Sequence, residues 1–79
     1  VFNQASWDNA VAYMQRAIAI RPEFIYHHYD LALIYIDTKQ WSLARQQLEL
    51  IPALPLIDVM DPVWKKEAAG FLQSIANKK

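Results

Sequence analysis

Seventy-nine residues make one small domain at most, and a chain this short buries a modest fraction of its surface, so its core must be dense. With 54% hydrophobic and 13% aromatic residues such a core is available, while the absence of cysteine excludes a disulfide framework and a cysteine-based zinc site. Eight basic residues balance eight acidic ones, which leaves no positive field for nucleic acid or an anionic membrane surface, and no stretch approaches the ~20 apolar residues that span a bilayer.

The single glycine, Gly70, favours helices joined by short turns over strands, which need turn glycines and period-two alternation. The first predicted helix runs from Trp7 to about Ile20. Its apolar residues Trp7, Ala10, Val11, Met14, Ala17 and Ile18 recur at three-and-four spacing, and Ser6 is placed to cap it. Pro22 biases Arg21 away from helical geometry and ends the segment. A second helix is predicted from Glu23 to about Thr38. A third runs from Trp41 to about Ile51 with Ala44, Leu48 and Ile51 inward, and Pro52 and Pro55 bracket its end. Leu54 to Met60 is apolar, too short and too proline-bound for a helix. It reads as an extended connector packed over its neighbours, with a mobile lid as the alternative. The fourth helix is predicted from Asp61 to about Asn77, with Asp61 as N-cap and Pro62 in the first turn. Trp64, Ala68, Phe71, Leu72 and Ile75 form its stripe. Gly70 weakens it by about 1 kcal/mol relative to alanine, beside a stripe where another backbone would approach closely.

The stretch Trp7 to Met14 echoes Trp41 to Leu48 at an offset of 34 residues, pairing Trp7 with Trp41, Ala10 with Ala44, Met14 with Leu48 and Ala17 with Ile51. Gln4-Ala5-Ser6 falls opposite Thr38-Lys39-Gln40, turn against turn. A 34-residue period in a helical chain is a solenoid signature. Here the sequence resembles the tetratricopeptide repeat family. His28, Leu31, Ala32 and Tyr35 sit at its first-helix packing positions, and Trp41, Ala44 and Leu48 at those of the second helix. His28 replaces the family's Trp, Ala32 replaces its Gly, and Pro55 falls one residue short of the family spacing. The preceding unit carries Ala10, Met14, Ala17 and a correctly spaced Pro22, but only Val1 to Asn3 remain of its first helix.

The expected architecture is therefore all-α, a superhelix of antiparallel helix-turn-helix repeats. Residues 1–22 form a truncated unit, 23–55 a complete one, and 56–79 a connector and capping helix that hides the last apolar face. The start at Val1 and the cut-short first unit predict a fragment of a longer array.

The second helix carries two apolar stripes, and a surface helix needs only one. One is His28, Leu31, Ala32 and Tyr35. The other is Tyr26, Tyr29, Leu33 and Ile36, which either packs on neighbours, with Phe2 and the C-terminal helix as covers, or meets a ligand. The family resemblance implies that this helix lines a concave groove. Tyr26, Tyr29, Leu33 and Ile36 then face a partner, with Asp30 and Asp37 as polar contacts beside them. Tyrosine offers large area with few rotors and a polar tip. A carboxylate clamp of Lys, Arg and Asn, known in some members, has no counterpart on this helix, so an apolar or helical segment is the expected ligand.

Adjacent His27 and His28 point about 100° apart on a helix and cannot chelate one metal. Asp58 and Asp61 read as turn and cap residues rather than an acid pair. Lys65, Lys66, Lys78 and Lys79 read as a solvated face and terminus. No nucleophilic constellation or phosphate loop is seen, and no cofactor or metal is expected. The expected function is non-catalytic binding of a protein or peptide partner, without nucleic-acid binding or membrane insertion. Self-association into a homo-oligomer, or service as the docking end of a larger enzyme, are the alternatives. Compartment is not legible.

Overall fold

Residues 3–79 are described by a computed structural model, and all their regular structure is helical. Helix α1 spans Gln4–Ile20, α2 Ile25–Asp37, α3 Trp41–Leu50 and α4 Asp61–Ser74, with a single 3-10 turn at Ile51–Ala53. The remnant Phe2, expected as a cover for α2, lies outside the described residues.

Capping chemistry moves the start of α1. Asn3 has extended backbone and its Oδ1 accepts from the Ser6 amide at 2.9 Å, so Asn3, not Ser6, is the N-cap. Gln4-Ala5-Ser6 is consequently the first helical turn of α1 and not the counterpart of the turn at Thr38-Lys39-Gln40. Helix α2 ends in a tight reversal. The Gln40 amide donates to Tyr35 O at 2.8 Å and the Lys39 amide to Ile36 O at 3.0 Å, with Lys39 in the left-handed region at φ 59°. That reversal brings α3 back along α2.

Small residues set the spacing of this pair. Ala32 of α2 and Ala44 of α3 are fully buried, as are Ile25, Leu31, Leu48 and Ile51 around them. A buried leucine or isoleucine contributes roughly 1.5–3 kcal/mol relative to an exposed one, so these side chains dominate the seam. Met14 joins the same core from α1 and Ala68 and Ile75 join from α4, with Val11, Ile18, Trp41, Trp64, Phe71 and Leu72 packed around them. Helix α2 is central and contacts α1, α3 and α4.

Helix α4 packs against both α2 and α3. His28, Ala32 and Tyr35 of α2 have aromatic, small and aromatic counterparts 36 residues later in Trp64, Ala68 and Phe71. The two additional residues, relative to the 34-residue period, fall in the connector. Of that connector only Leu54 reaches the core, and Leu56, Ile57, Val59 and Met60 are exposed rather than packed over neighbouring helices. Gly70 is exposed too. A Cβ there would meet nothing within 4 Å, so no backbone approaches it and its expected packing role is absent.

Candidate functional site

The candidate residues come from one helix, and its neighbours decide what each offers. Tyr26, Asp30, Leu33 and Asp37 recur at intervals of four, three and four, which is one helical face. Tyr26 is 44% exposed and Asp37 is exposed, while Asp30 and Leu33 are half-buried between them. Ile36 is half-buried, and both Leu33 and Ile36 rest against the core. These residues leave a half-open stripe along α2.

Tyr29 differs from the sequence expectation that its ring is offered to a partner. Only 8% of it is exposed, because Trp64 and Phe71 of α4 lie on it with ring centroids at 5.1 and 6.1 Å. Tyr26 borders this stack, 6.5 Å from Tyr29 and 5.3 Å from Trp64. Tilted rings at such separations favour the edge of one against the face of the next. Burial, followed by the negative charge of Glu67 and the nearby Tyr26 and Asp30, pushes the Tyr29 phenol above its ordinary value. Burial likewise raises the Asp30 carboxyl, and His27 partly opposes that shift.

His28 is buried and bridges three segments. Its Nε2–H donates to Pro22 O at 2.6 Å, since a carbonyl can only accept, and its Nδ1 meets the Gln47 side-chain amide at 2.8 Å. The ring thus replaces an indole's bulk with two polar ties, one to the α1–α2 turn and one to α3. Neighbouring His27 is half-buried and packs toward Phe24, with ring centroids 5.3 Å apart. Among the described residues no group of three or more metal-ligating side chains forms.

At the N-terminal end of α2 the stripe opens into a recess of about 230 Å³ lined by Phe24, Tyr26, Asp58, Met60, Asp61 and Trp64. Its acidic wall is locally built. Asp61 is the first residue of α4 rather than its cap, which is Met60. Its Oδ2 reaches back to accept the Ile57 and Asp58 amides, each at 2.7 Å, and the residue is only 2% exposed. Asp58 Oδ1 accepts the Met60 amide at 2.9 Å, an Asx-type turn. Two interlocked aspartate turns therefore hold the connector against the start of α4.

Two contributors to this surface, Trp64 and Phe71, lie outside the repeat register read at 34 residues, and the 36-residue echo is the signal that identifies them. No sequence pattern singles out Arg45. Its guanidinium donates to Ile75 O at 3.2 Å and Lys78 O at 2.8 Å, tying the end of α4 to α3.

Antiparallel helices stacked on a shared apolar seam, with a tyrosine-bearing stripe half open on the central one, define a helical-repeat protein. The tetratricopeptide repeat family matches residues 3–55, and the chain belongs to that family. Its repeats generally mediate protein–protein interaction and generally serve as non-catalytic scaffolds. No curated protein and no solved structure gives a significant match. Among the described residues no helix is long and apolar enough to cross a membrane.

Proposed function

We propose that the chain is a non-catalytic scaffold or adaptor module that binds a peptide or helical segment of a partner protein along α2. The observation that carries this reading is the half-open stripe of Tyr26, Asp30, Leu33 and Asp37 on a helical-repeat frame. Tyr26 is the aromatic anchor, because it combines exposure with support from Trp64 behind it. Tyr29 acts as the backing of that anchor, Leu33 and Ile36 supply the apolar floor, and Asp30 and Asp37 are polar rim contacts. The test is selection of binding peptides from a displayed library, followed by their affinity for Tyr26→Ala and Asp37→Ala, both at exposed positions. Loss of about tenfold or more at Tyr26 is the expected outcome for an aromatic hot spot. Unchanged affinity in both folded variants would sink the assignment.

A second reading is self-association through α1. Tyr13 and Ile20 are 63% and 80% exposed and border a recess with Arg16 and Ala17, which supports a second copy seating there. Sedimentation at micromolar concentration distinguishes the two. A dimer that Ile20→Lys converts to monomer supports this reading, and a strict monomer rejects it.

A further inference from the structure

We propose that the recess at the start of α2 captures a lysine or arginine side chain of the partner segment. The inference rests on the peptide-binding reading above and specifies the chemistry of the bound residue. Three aromatic rings from three different segments converge on this recess: Phe24 from the α1–α2 turn, Tyr26 from α2 and Trp64 from α4. Aromatic faces carry negative potential and attract cations. Asp58 and the buried Asp61 place acidic residues at the same wall, and among the described residues no Lys or Arg lines it. The Asp61 carboxylate keeps its charge-bearing group fixed through two backbone amides, so the field it projects is oriented in advance.

Two cations close in sequence to its rings already have partners. Arg21 lies over Phe24, with its guanidinium carbon 4.3 Å from the ring centroid, and pairs with Glu23 at 3.4 Å. That stacking is an internal instance of a cation on one of these rings. Lys65, next to Trp64 in sequence, donates to Pro52 O at 3.1 Å. Met60 adds an adaptable apolar contact for a long aliphatic stem, and Leu56, Ile57 and Val59 continue the exposed apolar surface along the connector. The preferred segment is a basic residue with apolar neighbours.

The test titrates the full chain with N-acetyl-lysine methylamide and N-acetyl-arginine methylamide, followed by nitrogen–proton correlation spectra. The uncharged norleucine counterpart and sodium chloride at equal ionic strength serve as controls. Saturable shifts centred on the Trp64 indole and on the amides of Tyr26, Asp58 and Met60 are expected with the cations. Norleucine, Tyr26→Ala and Asp58→Asn should each weaken binding by about threefold or more, the scale of a partly exposed cation–aromatic contact. Asn at position 58 keeps the oxygen that accepts the Met60 amide, so loss of charge is separated from loss of the turn. Equal response to norleucine or salt, absence of saturation, or indifference to both substitutions overturns the proposal. Library-selected peptides that bind along α2 with no basic residue at a fixed position overturn it as well, while leaving the peptide-binding reading intact.

Discussion

Lys39 is a side-chain-bearing residue in a conformation that suits glycine. It sits one position past the C-cap of α2 at φ 59°, where two backbone hydrogen bonds close the helix end. An L-residue in the left-handed region is strained by roughly 1–2 kcal/mol, part of which glycine relieves. Lys39→Gly should therefore stabilise the chain by about 1 kcal/mol, read as a higher urea midpoint at unchanged slope. Destabilisation would mean that the lysine side chain contributes more than its backbone costs. Asp30 stores a different kind of cost. Its carboxyl is raised by burial, so between the unfolded and folded titration points the folded state holds more protons, and stability falls as pH rises through that window. At neutral pH the ionised group opposes folding. Asp30→Asn should raise the denaturation midpoint at pH 7, and the advantage should vanish below about pH 3.5, where the unfolded chain is protonated as well. A difference that persists in acid would assign the effect to packing instead of charge.

At the scale of the element, α4 depends on how its first turn is built. Asp61 is nearly inaccessible and accepts the amides of Ile57 and Asp58. Hydrogen bonds to a charged group contribute roughly 1.5–3 kcal/mol, and orphaned buried donors add their own penalty. Asp61→Ala should cost about 2–4 kcal/mol in chemical denaturation, and Asp61→Asn, which keeps one oxygen acceptor, distinctly less. Equal stability of all three proteins would show that water replaces the carboxylate at no cost. This residue also marks what sequence could and could not reveal. The seam of Ala32, Ala44, Leu48 and Ile51 is legible because packing two helices imposes its spacing on the chain itself. Asp61 reads equally well as an N-cap, since caps and reach-back turns use the same residue type, and only the path of the connector separates them. The start of α1 fails similarly, because Asn3 and Ser6 are both good caps. The stripe on α2 is legible as an excess of apolar positions. Which of its tyrosines stays open is not, because Tyr29 is covered by Trp64 and Phe71 of α4, thirty-five or more residues further along the chain.

For the molecule as a whole, the docking of α4 on α2 joins stability to the accessibility of the proposed binding stripe. Rings from both helices interleave, Lys65 ties α4 to Pro52 O, and Arg45 secures the far end through Ile75 O and Lys78 O. If α4 lifted away, Tyr29 would join Tyr26 on an enlarged aromatic face. The Tyr29 phenol reports this docking. Burial is the largest cause of its raised titration point, so the folded state retains a proton that the unfolded chain releases. Stability associated with Tyr29 is thus complete below the ordinary tyrosine range, near pH 10, and declines as pH rises from there toward the folded value. Tyr29→Phe keeps a ring between Trp64 and Phe71 and removes the ionisation. At neutral pH it should stay within about 1.5 kcal/mol of the parent, as a near-isosteric core change does, while above about pH 10 it should lose stability less steeply. Trp64→Ala makes the complementary change. It strips the cover from Tyr29, should cost about 2–4 kcal/mol, and should return the phenol toward its ordinary value in an ultraviolet absorbance titration. Parallel alkaline stability curves for the parent and Tyr29→Phe would separate that burial from alkaline unfolding. A Tyr29 titration unmoved by Trp64→Ala would remove α4 as its cause, and α4 would then be a neighbour of the proposed stripe instead of its cover.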